Sequence, residues 1–297
     1  MSANKLGSIH QQEEAVKTRD GLALWVNFFR PDVEIKGTVV IAHGLAEHHE
    51  RYQHVIKFFL KHGFGVVAYD MRGHGRSEGA RCFVSKFSTF SDDLETVLRA
   101  IKDPERPIFL LGHSMGSLVV MDFLNRNQGK IPIQAVAVVG MPIKPTVEVS
   151  NIKKIFAQIF NLTYPHLALS AGIDSRLLSR DERVGKAYDQ DPLVCKKVTV
   201  GWYQAFTAAV ESVPQSLREI NVPALFLHGG DDRIAHPDGS RVMFQVYPCP
   251  DKQLHIYEGC YHELLNEEGK EQIMGEILGW FEKHAQTMVV SKAKVLP

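Results

Sequence analysis

Nowhere in the chain do apolar residues run on for the ~18 positions that a membrane-crossing helix requires. A basic excess is missing too, since 34 Lys and Arg stand against 34 Asp and Glu. Balanced charge excludes the positive footprint of a nucleic-acid binder. Cysteine is scarce: Cys82, Cys195, Cys249 and Cys260 are widely spaced and show no CxxC pairing. Such spacing supports neither a disulfide framework nor a zinc site, and reads as reduced thiols. Met1 to Glu14 is polar and lacks the apolar stretch of a secretory signal, so the cytoplasm is the expected compartment. Peripheral contact with a membrane stays compatible with this reading. Internal repeats and low-complexity tracts are absent.

What is present points to one large α/β domain with an inserted subdomain. A length of 297 residues suits that better than two independent domains, and 44% hydrophobic residues suffice for a sizeable core. Ala15–Arg19 and Leu22–Phe29 flank Asp20-Gly21, which predicts an opening hairpin with a two-residue turn. Short apolar or β-branched runs follow at Thr38–Ala42, Gly65–Tyr69, Ile108–Leu111, Ile133–Val139, Ala224–Leu227 and Leu254–Tyr257. Helical patterns at Tyr52–Lys61, Ser91–Ile101 and Ser117–Asn127 separate the earlier of them. Strand-helix alternation predicts a mostly parallel sheet with helices on both faces.

Between Gly140 and Pro223 the rhythm breaks, and no strand is legible there. Ile152, Ile155, Phe156, Ile159 and Phe160 recur at helical spacing, with Lys153, Lys154 and Gln158 opposite. A structureless loop of that length is implausible in a compact domain, so a helical cap inserted after the sixth strand is expected. This assigns 1–140 and 214–297 to the core and 141–213 to the cap or lid. The tail from His284 to Pro297 receives no assignment.

The chemistry centres on Gly112-His113-Ser114-Met115-Gly116, between an apolar strand run and a helical pattern. A G-x-S-x-G elbow needs that setting, because a tight strand-to-helix turn lifts the serine above the sheet while the glycines let neighbouring chain pass. A serine hydroxyl needs a base, and the base an orienting carboxylate. In a strand-turn-helix nucleophile of this kind the chain order is Ser, acid, His. Ala224–Leu227 leads into His228-Gly229-Gly230-Asp231-Asp232, and Leu254–Tyr257 into Glu258-Gly259-Cys260-Tyr261-His262. His262 is therefore the expected base, and Asp231 or Asp232 the acid. Backbone N–H groups of Met115 and Leu45 are the candidate oxyanion donors. His43, beneath that second loop, reads as a packing and hydrogen-bonding residue. His48-His49 lacks the spaced partners of a metal site. Asp70 to Gly79 is glycine-rich, lacks a phosphate-loop ending, and reads as a bracing loop.

Together HGLAEHHERY (His43–Tyr52), YDMRGHGRSEG (Tyr69–Gly79), GHSMG (Gly112–Gly116), HGGDDRI (His228–Ile234) and YEGCYH (Tyr257–His262) resemble the monoacylglycerol lipase and lysophospholipase group of α/β-hydrolases. The match runs through nearly the whole core and covers the cap and tail poorly. The resemblance implies the α/β-hydrolase fold, with Ser114 as nucleophile and His262 as base. It selects Asp232 as the acid, because a basic and an aliphatic residue follow it, and places the oxyanion donors at Leu45 and Met115. It also puts Glu47 and Arg51 near the glycerol end of the substrate, where the alternative is a salt-bridged surface pair. Some members carry a second histidine shortly after the base, and this chain has Leu264-Leu265 instead.

The expected reaction is two-step acyl transfer on a lipid-like ester, most simply a monoacylglycerol or lysophospholipid, without cofactor or metal. Ile155 and Ile159 would line the lid that receives the acyl chain, and the cap would make any membrane contact. A rival keeps the triad but cleaves small esters or thioesters, makes peracids or breaks C–C bonds. A second rival, from another class, is a catalytically silent binding protein on the same fold.

Overall fold

The computed structural model describes residues 8–103, 105–144 and 162–293, with side chains to residue 285. Strands β1 (Ile9–Lys17) and β2 (Ala23–Pro31) open the chain as an antiparallel pair. β3 (Thr38–Ala42) follows, then α1 (Gln53–Lys61), β4 (Gly65–Tyr69), α2 (Ser88–Arg99), β5 (Ile108–His113), α3 (Met115–Asn127) and β6 (Ala135–Val139). Beyond β6 come β7 (Ala168–Ser170), α4 (Glu182–Gln190), β8 (Lys197–Thr199) and α5 (Val200–Ser216). The chain returns through β9 (Ala224–Gly229), α6 (Asp238–Val246), β10 (Lys252–Tyr257) and α7 (Lys270–Ala293).

Eight strands form one sheet in the order β1-β2-β4-β3-β5-β6-β9-β10. From β4 to β10 every pairing is parallel, and β2 meets β4 antiparallel. This is the α/β-hydrolase fold. Parallel strands must be covered on both faces, and the period of two along each strand supplies two apolar faces. Val39, Ile41, Phe109 and Leu111 join the cluster of α1 and α7, which contains Phe59 and Phe281. Val40, Ala42 and Leu110 face the other way, into the cluster with Phe90 of α2 and Leu118 of α3. Trp202, Ala205, Ala209 and Val213 of α5 belong to that second cluster.

Several expectations need correction. The hairpin turn is the three-residue Arg19-Asp20-Gly21, with Thr18 N–H on Leu22 O (2.8 Å) and Gly21 N–H on Thr18 O (3.0 Å). Gly21 takes φ +88°, which suits the last residue of a three-residue turn. Two strands, β7 and β8, pair antiparallel in the interval where none was legible. At three residues each they are too short for a period to show. The unassigned tail begins inside α7, which continues to Ala293. Ile152, Ile155, Phe156, Ile159 and Phe160 lie outside the described residues.

Candidate active site

Ser114 stands where β5 ends and α3 begins. It has φ 50° and ψ −119°, a backbone that L side chains avoid. Two glycines allow it. A Cβ on Gly116 would lie 2.0 Å from Ala42 O, and one on Gly112 would lie 2.7 Å from Gly116 O. From Ile108 to Met121 every residue is buried except Ser114. Its own N–H donates to Val139 O (2.8 Å), which pins the turn to the end of β6.

His262 follows β10, and its Nδ1 lies 2.6 Å from Asp232 Oδ2, in the loop after β9. The other carboxylate oxygen accepts the N–H groups of Ile234 (2.8 Å) and Ala235 (2.9 Å). Burial alone would raise the Asp232 pKa, yet His262 and His228 hold it well below the usual carboxylate range. An ionised carboxylate only accepts, so His262 Nδ1 carries the proton and Nε2 keeps its lone pair. Burial pushes the His262 pKa down, but the charge and hydrogen bond of Asp232, with Glu263 and Glu47 beyond, leave it above its ordinary 6.5. Asp231, one residue earlier, is exposed and is held through its backbone N–H on Cys260 O (3.0 Å). The geometry thus separates two acids that spacing left open.

Strand ends bring these groups together. A Cβ on Gly140, just past β6, would lie 3.4 Å from His262 Cε1, and Val139 O holds Ser114. A Cβ on Gly44 would lie 3.4 Å from Ser114 Cβ, so the loop after β3 reaches the same place. Leu45 is half-buried and Met115 buried. Neither backbone N–H has an acceptor among the described residues, which leaves both free to hold an oxyanion.

Glu47 and Arg51 form a salt bridge (2.7 Å), but not on the surface: their side chains are 3% and 9% exposed. Glu47 Oε1 accepts Gly44 N–H (2.6 Å) and Tyr52 O–H (2.6 Å), and His113 Nδ1 lies 3.1 Å away. Arg51 forks onto Glu263, with Nη1 2.7 Å from Oε1 and Nη2 2.8 Å from Oε2. Its guanidinium also lies over the Tyr188 ring of α4, 5.0 Å from the centroid. The pair is therefore engaged by protein groups on every side that these contacts describe. Glu263, Tyr188 and His113 were missed, and a contact between positions 51 and 263 leaves no signal in spacing.

His43 donates from Nδ1 to Gly44 O (2.7 Å) and accepts Met71 N–H at Nε2 (2.9 Å), the supporting role expected of it. His48 and His49 turn to different partners, Asp191 (2.9 Å) and Asp70 (2.7 Å). Asp70 also accepts Arg76 N–H (2.8 Å), so one carboxylate joins the glycine-rich loop to His49 in the loop after β3. Another unforeseen support is His228: its Nε2 lies 3.0 Å from Asp232 Oδ2 and its Nδ1 2.7 Å from Ser240 Oγ. Among the described residues no helix is long and apolar enough to cross a membrane.

Comparison with known proteins agrees with this architecture. A family model described as serine aminopeptidase, S33, matches residues 33–269. A monoacylglycerol lipase of Mycolicibacterium smegmatis is 33% identical over 267 residues, spanning 89% of this chain and 94% of the relative. The human monoglyceride lipase is 33% identical over 275 residues, covering 90% and 89%. The crystal structure of the Paleococcus ferrophilus monoacylglycerol lipase superposes with a TM-score of 0.78 at 27% identity, over 93% of this chain and 99% of that one. Matched from residue 33 to residue 269 by that model and across nearly its whole length by these relatives, the chain belongs to the serine aminopeptidase S33 family of α/β-hydrolases, in the group that holds the monoacylglycerol lipases.

Proposed function

We propose that this protein is a serine hydrolase that cleaves carboxylic esters of lipid-like substrates, monoacylglycerols or lysophospholipids, through an acyl-enzyme on Ser114. One observation carries the reading: the partly exposed serine of a strained strand-to-helix turn shares the carboxyl edge of the sheet with a buried, hydrogen-bonded His262–Asp232 pair. His262 Nε2 takes the Ser114 proton as the hydroxyl attacks the ester carbonyl. The Leu45 and Met115 amides hold the oxyanion, and Asp232 steadies the imidazolium. His262 then protonates the leaving alcohol, and water releases the fatty acid by the same route. Glu47 and Arg51 act from behind the site, and neither needs to touch the glycerol end.

Ile155 and Ile159 complete the reading as the lid surface that receives the acyl chain. The neighbouring cap exposes Leu162, Tyr164, Leu167 and Leu169, which supports peripheral contact with a membrane by a cytoplasmic enzyme. Two measurements test the proposal. A fluorophosphonate probe should label wild type rapidly and Ser114→Ala not at all. Hydrolysis of monoacylglycerols, lysophospholipids and short esters of graded length should rise with chain length, each buried CH₂ contributing about 0.8 kcal/mol. A folded Ser114→Ala protein that hydrolyses esters at the wild-type rate would refute the nucleophile. A preference for acetate over every longer ester would refute the lipid substrate.

A further inference from the structure

Leu45, Ser114 and His262 each have a chain neighbour bound to one buried ion pair. Gly44, before Leu45, donates its N–H to Glu47 Oε1 at 2.6 Å. His113, before Ser114, places Nδ1 3.1 Å from the same oxygen. Glu263, after His262, takes the two-pronged fork of Arg51, whose Nη1 also reaches Glu47 Oε2 at 2.7 Å. Loops after β3, β5 and β10 are thereby tied to a single Glu47–Arg51 node.

We infer that the Glu47–Arg51–Glu263 cluster consists of positioning residues that align the oxyanion loop, the nucleophile turn and the base with one another. It rests on Ser114, Asp232 and His262 being the reacting groups. Two carboxylates around one guanidinium make an expensive core, since each charge loses its hydration and apolar side chains of similar volume would pack at least as well. What apolar packing lacks is direction. A guanidinium fork fixes distance and angle toward both carboxylates, and a carboxylate aimed at a backbone N–H fixes the loop that carries it. Burial works against the charge on Arg51, and Glu263 and Glu47 more than offset this, so it stays protonated. Burial opposes the Glu47 charge too, while Arg51 and His113 hold its carboxyl well below the usual range. Misplacement by about 1 Å of a group in a reacting set can cost on the order of 10²-fold in rate. Alignment of three loops is where such a loss would arise.

The cluster also acts on the base electrostatically. Around His262 stand Asp232 and, behind it, His228 from the β9 side. Glu263 lies on its own loop, His113 on the elbow (ring centroids 5.0 Å apart), and Glu47 with Arg51 on the loop after β3. Glu263 and Glu47 both favour the charged imidazolium. Neutralising Glu263 therefore lowers the His262 pKa and moves the acid limb of kcat/KM to lower pH.

The test compares Glu263→Gln, Arg51→Lys and Ser114→Ala with wild type, by kcat and KM against pH on one ester and by thermal melts. Glu263→Gln should lower the acid midpoint by about one unit. Arg51→Lys keeps the charge but loses the fork, so its midpoint should stay. Its kcat should fall by about tenfold to a hundredfold with little change in KM. Wild-type kcat and midpoint in both folded variants, whatever their melting temperatures, would overturn the inference. An inert Ser114→Ala protein in that experiment leaves the triad standing, whereas an active one removes the reading beneath it. If Arg51→Lys fails to fold, the midpoint of Glu263→Gln decides, and an unmoved midpoint overturns the electrostatic coupling and with it the proposal.

Discussion

His262 Nδ1 lies 2.6 Å from Asp232 Oδ2, while Asp231, its neighbour in sequence, is exposed. Adjacent residues of one loop point to opposite sides, so only one of the two carboxylates reaches the imidazole. Asp232→Asn should lower kcat by on the order of 10⁴, because the amide no longer holds His262 in the productive tautomer. Asp231→Asn should leave kcat within about twofold, as ordinary surface substitutions do. Steady-state kinetics of the two variants decide the matter, and a crippled Asp231→Asn enzyme would reverse the assignment.

The raised pKa of His262 gives the pH–rate profile a definite sign. A general base works only when neutral, so kcat/KM should decline as pH falls, with its midpoint above 6.5. A profile flat down to pH 5 would show that no such base controls the free enzyme.

Glycines at two places should respond oppositely to alanine. At Gly116 the added Cβ would meet Ala42 O at 2.0 Å, and backbone cannot swing aside as a side chain can. Gly116→Ala should lose roughly 3 kcal/mol or more, or fail to accumulate as folded protein. Gly275 and Gly279 are exposed in α7, and a methyl added at either would meet nothing within 4 Å. Alanine there should stabilise the helix by about 0.5–1 kcal/mol each. Denaturant titrations measure both effects.

Asp70 makes the brace beneath the site sensitive to acid. Burial would raise its pKa, but the hydrogen bond and charge of His49, with His43 and the Arg76 N–H, hold it down to about 2. A carboxylate depressed on folding stabilises the fold above its unfolded pKa, and the contribution disappears as pH falls through the folded value. About 2 kcal/mol should therefore be lost between roughly pH 4 and pH 2. The stability gap between wild type and Asp70→Asn should narrow over that window, and a constant gap would contradict it.

Much of this molecule was legible before its structure was. Strand-helix alternation announced the layered sheet, and G-x-S-x-G after an apolar run marked Ser114, because both depend on residues close in sequence. Local periodicity failed where elements were short, as at β7 and β8, or where a turn's length hung on one backbone angle, as at Gly21. Choosing Asp232 over Asp231 from residues alone was impossible, since their spacings to Ser114 and His262 differ by a single position. The resemblance selected it, and in the structure His262 Nδ1 lies 2.6 Å from Asp232 Oδ2.

By itself, then, the sequence determined the order along the chain of the strands in the main sheet, the G-x-S-x-G turn at Ser114 and the loops that carry Asp232 and His262. These follow from short-range sterics and from burial of periodic apolar faces. Only the tertiary structure decided that Glu47 and Arg51 turn inward, that Glu263 closes their cluster, and that His228 stands behind Asp232. Ion pairs between positions 51 and 263 form because the parallel sheet sets β3 and β10 to deliver their loops at one edge. A charge pattern along the chain holds no record of that meeting, because a side chain's partner is chosen by distance in space.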